Sequence, residues 1–329
     1  MSMLAPTLQA FFTDRLARQR QASPRTVAAY RDTFRLLLSF VQRQLGKAPF
    51  TLGLEHLDAP VVAAFLNHIE AERRNSPRTR NARLAAIRAF FRYAALRHPE
   101  HAALIQHVLA IPQKRFDRAI VSFLTLAESD ALVAAPDRST WEGRRDYALF
   151  VVAVQTGLRV SELSGLNRAD VMLGIGAHVR CHGKGRKERL TPLSGSGTAT
   201  LRVWLAERAG RADDPVFPTR TGRRLSRDAI QRRVATHAAV AARRCASLQS
   251  KHLTPHVLRH TAAMRLLHAG VDTSVIALWL GHEDIRSTQM YLHADLTIKE
   301  RALARTAPGS VSPGRYRAAD PLLAFLEAL

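Results

Sequence analysis

The chain has 329 residues, of which 47% are hydrophobic, and it carries a formal net charge of +22 at pH 7. This length exceeds the usual size of one domain and predicts two, and the hydrophobic content excludes a largely disordered chain. Because both halves of the chain are net positive, the leading partner is a polyanion, and nucleic acid is the first candidate.

The cysteines and the N-terminus indicate where the protein works. Cys181 and Cys245 are the only cysteines and form no CxxC pair, so neither a disulfide framework nor a thiolate metal site is indicated. The N-terminus lacks the pattern of a signal peptide, and no window reaches the roughly 18 uninterrupted apolar residues of a membrane span. We expect a soluble, cytoplasmic protein without a membrane partner.

Residues 1–112 show helical periodicity almost throughout. Segments 23–26 and 76–79 both read Ser-Pro-Arg-Thr, in which the serine can cap a helix and the proline can occupy its first turn. Apolar residues recur at helical spacing after both segments, and another helix is expected to begin at Asp58. The pattern predicts an all-helical bundle with arginine-rich faces that suit phosphate contacts.

A proline and a basic run interrupt this periodicity, which predicts a linker over residues 113–121. A second domain is expected over residues 122–305, and a capping box from Thr125 to Glu128 begins its first helix. Residues 306–329 form a Pro/Gly/Ser-rich tail that ends in a short apolar helix suited to docking on a partner.

The only convincing strands lie on either side of a Gly-Lys-Gly turn. They run from His178 to His182 and from Glu188 to Leu193, and the turn chemistry predicts a β-hairpin. The rest of the second domain is mainly helical. The expected fold class is therefore mainly α with a small β-hairpin, in two domains.

Two basic residues stand at turns where a cation can be presented. Arg159 follows a glycine between two helices, and Glu162 is placed to pair with it and hold its orientation. Lys184 lies between two glycines at the hairpin tip, where it can approach a phosphodiester and donate a proton to a leaving alkoxide. Taken alone, each is more typical of an exposed surface charge.

The segment 254–260, Thr-Pro-His-Val-Leu-Arg-His, opens a further helix. Thr254 can cap this helix, which places His256 and Arg259 on one face near its positive end and favours an anion site. The four-residue spacing of His256 and His260 also suits a metal ion, but no HExxH glutamate or nearby cysteine completes a ligand set. The anion site is therefore preferred.

Two aromatic residues near the end of the second domain complete the candidates. Gly281 ends a helix, so that His282 is fixed just beyond it. Tyr291 follows nine positions later (291 − 282), on a short helix that Ser287 or Thr288 can cap. A lone tyrosine is usually an amphipathic residue at the edge of a core.

Together these segments resemble the catalytic signature of the tyrosine recombinase (phage integrase) family, most closely its bacterial integrase and chromosome-dimer-resolution members. The motifs TGLRVSEL, GKGRKERL, HVLRHTAA and LGHEDIRSTQMYLHA each match the local pattern of the family, in the family's order. The likeness extends in character over residues 7–305. Residues 1–112 are similar to the core-binding domain of the family.

The resemblance implies a role for each candidate. Tyr291 would be the nucleophile that forms a 3′-phosphotyrosine, and Arg159 and Arg259 would hold the non-bridging oxygens of the phosphate. Lys184 would protonate the leaving 5′-oxygen. His256 would assist proton transfer at the tyrosine, and His282 would hydrogen-bond the phosphate. No cofactor and no metal ion are expected, because basic side chains supply the charge.

The resemblance also implies an assembly. The two domains would form a clamp on double-stranded DNA, and the protein would act as a tetramer on paired sites. The tail residues 320–329 would pack against a neighbouring protomer or against their own chain. A sister recombinase or an accessory protein is a further partner that fits this family.

Two other functions share these residues. A type IB topoisomerase also uses arginine, lysine, histidine and tyrosine to nick and reseal DNA. A DNA-binding protein could keep the same fold without catalysis. All of the catalytic residue types are present, and this favours an active recombinase.

Overall fold

The computed structural model describes residues 4–116, 121–183, 188–207 and 210–282, together with Thr288 and Tyr291. The chain divides into two compact units, Met1–Arg118 and Ala119–Leu329. Among the described residues, no helix combines the length and the apolar character that crossing a membrane requires.

The first unit is helical throughout its described part. Its helices are α1 (Leu4–Ala10), which a π-helical segment (Phe11–Gln19) continues, α2 (Pro24–Leu45), α3 (Ala59–Ala71), α4 (Pro77–Ala94) and α5 (Ala102–Ala110). The Ser-Pro openings behave as predicted: the hydroxyl of Ser23 accepts a hydrogen bond from the backbone N–H of Thr26, and that of Ser76 accepts one from Thr79.

Aromatic side chains fill much of the core of this unit. The ring of Phe90 lies edge-on to those of Phe11 and Phe34, with centroids 5.6 and 5.3 Å apart. Such edge-to-face pairs add to the stabilisation that burial itself provides. α2 ends at Gly46, whose φ of +66° is the left-handed conformation that favours glycine.

The second unit consists of helices and one small sheet. The helices are α6 (Leu126–Val133), α7 (Trp141–Thr156), α8 (Val160–Gly165), α9 (Gly195–Ala206), α10 (Arg227–Ala241), α11 (Pro255–His268) and α12 (Thr273–Leu280). α6 begins with the predicted capping box, in which the side chains of Thr125 and Glu128 each accept the other's backbone N–H.

The sheet has the order β1-β2-β3, with both pairs antiparallel. Its strands are β1 (Val171–Met172), β2 (His178–His182) and β3 (Glu188–Pro192). The predicted hairpin is confirmed, although β3 ends one residue earlier than expected and the short strand β1 was not predicted. The hairpin tip, residues 184–187, lies outside the described residues.

Helix α7 forms the centre of the second unit. Residues from Ala148 to Val154 on this helix are all buried, and all of them except Val151 pack with residues of α9, α10 and α11 in one apolar cluster. Because this stretch is apolar on every side of the helix, it is buried on every side. Its last residue, Thr156, and the glycine after it are also buried, and this glycine lies next to Ala262 of α11 and Leu280 at the end of α12.

Candidate active site

Three arginine side chains converge on the C-terminal end of α12. Each donates a hydrogen bond to a different one of three consecutive backbone carbonyls. The pairs are Arg189 Nε to Trp279 O (3.0 Å), Arg259 Nη2 to Leu280 O (2.7 Å) and Arg159 Nη2 to Gly281 O (2.9 Å). The final carbonyls of a helix lack intrahelical partners and carry partial negative charge, so they bind cations well. This helix end gathers arginines from distant parts of the sequence.

Two glycines allow the C-terminal ends of α7 and α12 to approach each other. Gly157 ends α7 with φ +63°, and Gly281 ends α12 with φ +64°. A β-carbon at Gly157 would lie 2.6 Å from Leu280 Cδ2, so the two helix ends approach too closely for any side chain there. The glycine of the TGLR motif therefore serves packing as well as turning.

Arg259 is the more deeply buried of the two arginines predicted to bind phosphate. Only 4% of the residue is exposed, and Nη1 donates to the carbonyl of Gly157 at 2.7 Å. Burial, and then the charge of Arg159, lowers the pKa of Arg259 to about 10, which leaves the side chain charged at pH 7. The predicted cap, Thr254, accepts the N–H of Val257 and begins α11.

Arg159 stands at the first residue before α8, where Glu162 holds it as predicted. The carboxylate of Glu162 accepts the backbone N–H of Arg159 at 2.7 Å and its Nη1 at 3.0 Å. Burial would raise the pKa of the Glu162 carboxyl, but hydrogen bonds from Arg189 and the nearby guanidinium charges bring it below its usual value. Glu162 is therefore an anion that orients Arg159.

Tyr291 is buried, with 1% of the residue exposed, and its hydroxyl lies 3.0 Å from Nδ1 of His260. The ring of His256, which is exposed, stacks on that of His260 with centroids 6.0 Å apart. Burial, followed by the charges of His256 and Arg259, lowers the pKa of His260 to about 4. At pH 7 the imidazole of His260 is neutral, so Nδ1 can accept the phenolic hydrogen.

His282 lies directly after α12, as predicted. Its ring stacks on that of Tyr291 with centroids 6.3 Å apart, and its Nδ1 lies 2.8 Å from Thr288 Oγ1. Burial, followed by the charges of Arg259 and Arg159, lowers its pKa to about 4. Tyr291 thus lies beside two neutral imidazoles, those of His260 and His282, near the charged guanidiniums of Arg159 and Arg259.

The structure brings together every predicted site residue except Lys184, which lies outside the described residues. Two contacts were not predicted. They are the contact of His260 with Tyr291 and the contacts of Arg189 with Glu162 and the end of α12. The sequence suggested His260 only through its metal-like spacing from His256, and Arg189 was not singled out as a site residue. The signal for His260 was its position one turn after His256, on the same helical face.

Positive charge at this site comes from arginine. Among the described residues, no three His, Cys, Asp or Glu side chains are grouped so that they could hold a metal ion. Guanidinium groups can stabilise charge that develops on a phosphate, and a neutral imidazole can accept a proton from a phenol. The arrangement suits attack by tyrosine on a phosphodiester.

Two family models match the chain. The phage integrase family matches residues 122–297, and the phage integrase N-terminal SAM-like domain matches residues 10–98. The chain therefore belongs to the phage integrase family, the tyrosine recombinases, which catalyse DNA strand cleavage and rejoining.

Named relatives agree with this family. The chain is 56% identical over 326 residues to the putative integrase/recombinase y4rC of Sinorhizobium fredii, covering 99% of this chain and 98% of the relative. It is 33% identical over 282 residues to the tyrosine recombinase XerC of Pelobacter propionicus, covering 85% and 88%.

The fold is also that of a solved recombinase. A crystal structure of the XerH site-specific recombinase, bound to its palindromic difH substrate after cleavage, matches with a TM-score of 0.70 and 21% identity. The match covers 87% of this chain and 81% of that one. At this identity the likeness bears on the fold alone, and it agrees with the predicted mainly helical architecture.

Proposed function

We propose that this chain cleaves and rejoins DNA strands at specific sites, with Tyr291 as the nucleophile. The observation that carries the proposal is the hydrogen bond between the hydroxyl of Tyr291 and the neutral imidazole of His260, beside Arg159 and Arg259. Burial raises the pKa of the Tyr291 hydroxyl, and the charges of the two arginines oppose that rise. A proton acceptor next to the phenol is what such a nucleophile needs.

In this proposal Arg159 and Arg259 bind the non-bridging oxygens of the scissile phosphate. Their hydrogen bonds to the end of α12 fix their positions before DNA arrives. Preorganised donors stabilise the more highly charged transition state more than the ground state. The carbonyl bonds use two of the five N–H groups of Arg259. His282 adds a hydrogen bond to the same phosphate.

The proton movements balance in two transfers. As the Tyr291 oxygen forms its bond to phosphorus, the phenolic proton passes to Nδ1 of His260, and His256, stacked on that ring, assists. As the bond from phosphorus to the 5′-oxygen breaks, Lys184 protonates the leaving oxygen. The products are a 3′-phosphotyrosine and a free 5′-hydroxyl. Because the covalent link retains the phosphodiester energy, rejoining needs neither a cofactor nor a metal ion.

The same proposal assigns the domains and partners. Residues 1–112 bind double-stranded DNA and residues 122–305 catalyse, with residues 113–121 as the linker between them. The enzyme works in the cytoplasm as a tetramer on paired sites, with or without a sister recombinase or accessory protein. The predicted docking of the C-terminal residues 320–329, on a neighbouring protomer or on their own chain, lies outside the described residues.

The test is covalent capture from a pooled library of duplexes that carry a nick near a randomised core. The nick releases a short fragment after cleavage, so the covalent intermediate accumulates. We expect wild-type protein to retain a subset of duplexes through denaturation, and Tyr291→Phe to retain none. Retention by neither protein, with salt-sensitive DNA binding intact, would support a non-catalytic DNA-binding protein. Relaxation of supercoiled DNA without site preference would support a topoisomerase.

A further inference from the structure

The carboxylate of Glu162 is shared by two arginines. Arg189, on β3, donates Nη1 to Oε1 at 2.9 Å and Nη2 to Oε2 at 2.8 Å. Arg159 donates to the same two oxygens from its backbone and from its side chain. The paired arrangement of Arg189 on Glu162 is the bidentate geometry that makes arginine–carboxylate contacts strong and directional.

We propose that Arg189 is a positioning residue for cleavage, which balances the charge of Glu162 so that Arg159 stays free to attract a phosphate. The proposal rests on the proposed function and extends it to a residue that does not itself touch the DNA.

Arg189 sets the net charge around one buried carboxylate, that of Glu162. Glu162 is 7% exposed, so its charge is poorly screened by solvent. With Arg159 as its only partner, the pair would be neutral and would attract a phosphate weakly. With Arg189 added, the group of three carries a net charge of one positive unit. Arg189 therefore lets Glu162 orient Arg159 without cancelling its charge.

Arg189 also contacts the C-terminal end of α12. Arg189 also donates Nε to the carbonyl of Trp279, and a β-carbon at Gly281 would lie 3.0 Å from Arg189 Nη1. The side chain is 12% exposed and lies between Glu162 and this helix end. Arg159 donates to the carbonyl of Gly281, so both arginines are fixed to the same short piece of backbone.

The contact between Arg189 and Glu162 also connects the β-hairpin to the site. β3 begins at Glu188, four positions after Lys184 (188 − 184), and Arg189 is its second residue. The contact therefore ties the strand that leaves the hairpin to the carboxylate that orients Arg159.

The test uses a duplex already selected for covalent capture by wild-type protein, so a failure of the proposed function is recognised before any variant is made. We compare Arg189→Gln, Glu162→Gln and the double variant, measuring the capture rate and the Kd for the duplex. Arg180→Gln is the matched control, because Arg180 lies on the same sheet and pairs with a different carboxylate, that of Asp170, at 3.4 Å.

We expect Arg189→Gln to slow capture about 100-fold with little change in Kd, because a preorganised electrostatic contact is lost. In the double variant, Glu162→Gln removes the negative charge that Arg189 no longer balances, and the glutamine side chain can still accept the backbone N–H of Arg159. The double variant should therefore capture DNA about 10-fold faster, or more, than Arg189→Gln alone. Arg180→Gln should capture at nearly the wild-type rate. A purely structural role for Arg189 predicts no such rescue.

Two results would overturn the proposal. One is a capture rate for Arg189→Gln that lies within about 3-fold of the wild-type rate. Since a factor of ten in rate corresponds to about 1.4 kcal/mol, such a variant would have lost less than about 1 kcal/mol. The other is a double variant as slow as Arg189→Gln alone. If Arg189→Gln does not fold, Arg189→Lys carries the test, since it keeps the charge and loses the bidentate geometry. Capture by Arg189→Lys that is as slow as that of an Arg159→Gln variant would contradict the charge balance.

Discussion

The hydroxyl of Tyr291 lies 3.0 Å from Nδ1 of His260, whereas the histidine that the family pattern singles out is His256. His260 directly follows Arg259, so one turn of α11 carries both the guanidinium that we propose binds phosphate and the residue beside the proposed nucleophile. Because the imidazole of His260 is neutral at pH 7, its Nδ1 can accept the phenolic hydrogen in the tautomer that carries the ring proton on Nε2.

Replacing His260 should slow cleavage without weakening DNA binding. His260→Phe removes the acceptor, and His260→Asn leaves a polar atom near the position of Nδ1 that cannot take a proton. General base catalysis is worth about 100-fold or more, so both variants should lose about that much in the rate of covalent capture. The measurement is capture rate and Kd on a duplex selected with wild-type protein.

The control for these variants is His252→Asn, at an exposed histidine of the same unit. It should capture at the wild-type rate. A His260→Asn variant that keeps the wild-type rate while His260→Phe loses it would show that His260 only orients the phenol. The base would then be His256, as the resemblance alone implies.

Stability should fall as the pH is lowered from 7 toward 5. The folded protein holds the pKa of His260 at about 4, below its ordinary 6.5. Between these values the unfolded chain binds a proton that the folded chain does not, so the free energy of unfolding decreases as pH falls. The loss from this group is at most about 1.4 kcal/mol per pH unit, before solvent screening reduces it.

The measurement is chemical denaturation of wild type and His260→Asn at pH 7 and at pH 5.5. The difference in free energy of unfolding should narrow at the lower pH, because the variant lacks the group whose protonation favours unfolding. A difference that stays constant with pH would mean that His260 is not buried in its neutral form.

Two glycines with nearly the same backbone conformation should respond differently to alanine. Gly46 and Gly157 have φ of +66° and +63°, so an alanine at either position would incur the left-handed penalty of about 1 kcal/mol. A β-carbon at Gly46 meets nothing within 4 Å, whereas one at Gly157 meets Leu280 and Ala262. Gly157→Ala should therefore lose about 1–3 kcal/mol more than Gly46→Ala in free energy of unfolding.

Denaturation of the two variants under identical conditions measures this difference. Gly157→Ala should also slow covalent capture, because the carbonyl of Gly157 accepts a hydrogen bond from Arg259. Equal destabilisation of both variants would show that the ends of α7 and α12 do not approach each other as described.

Lys184 should be needed only when the leaving group is an alkoxide. Lys184→Met should cleave an ordinary duplex about 100-fold more slowly. A duplex with sulfur in place of the bridging 5′-oxygen has a leaving thiolate, which is far more stable than an alkoxide and needs no proton. On that duplex the rate of Lys184→Met should approach that of wild type, whereas Arg259→Gln should stay slow. A Lys184→Met variant that stays equally slow on both duplexes would contradict the role of Lys184 as the acid.

The sequence predicted most of the local structure because its signals are local. The serine caps of α2 and α4, the capping box of α6 and the hairpin all follow from spacings of a few residues. The pairing of Glu162 with Arg159 was predicted for the same reason, since the two residues are neighbours on one helical turn.

The contacts that were missed join residues far apart in the chain. Arg189 reaches Glu162 and the end of α12 only because β3 packs beside that helix. His256 and His260 share one face of α11, so spacing could not show which of them lies beside Tyr291. These choices depend on the packing of α11 against α12, which no short motif describes.

The most direct test of the account is the identity of the residue that carries the DNA. Covalent complexes from the capture experiment would be digested with protease and nuclease, and the nucleotide-linked peptide sequenced by mass spectrometry. The account predicts a phosphate on Tyr291, joined to the 3′ end of the cleaved strand, and a free 5′-hydroxyl on the other fragment. A linkage through another residue, or a complex that persists in Tyr291→Phe, would contradict it.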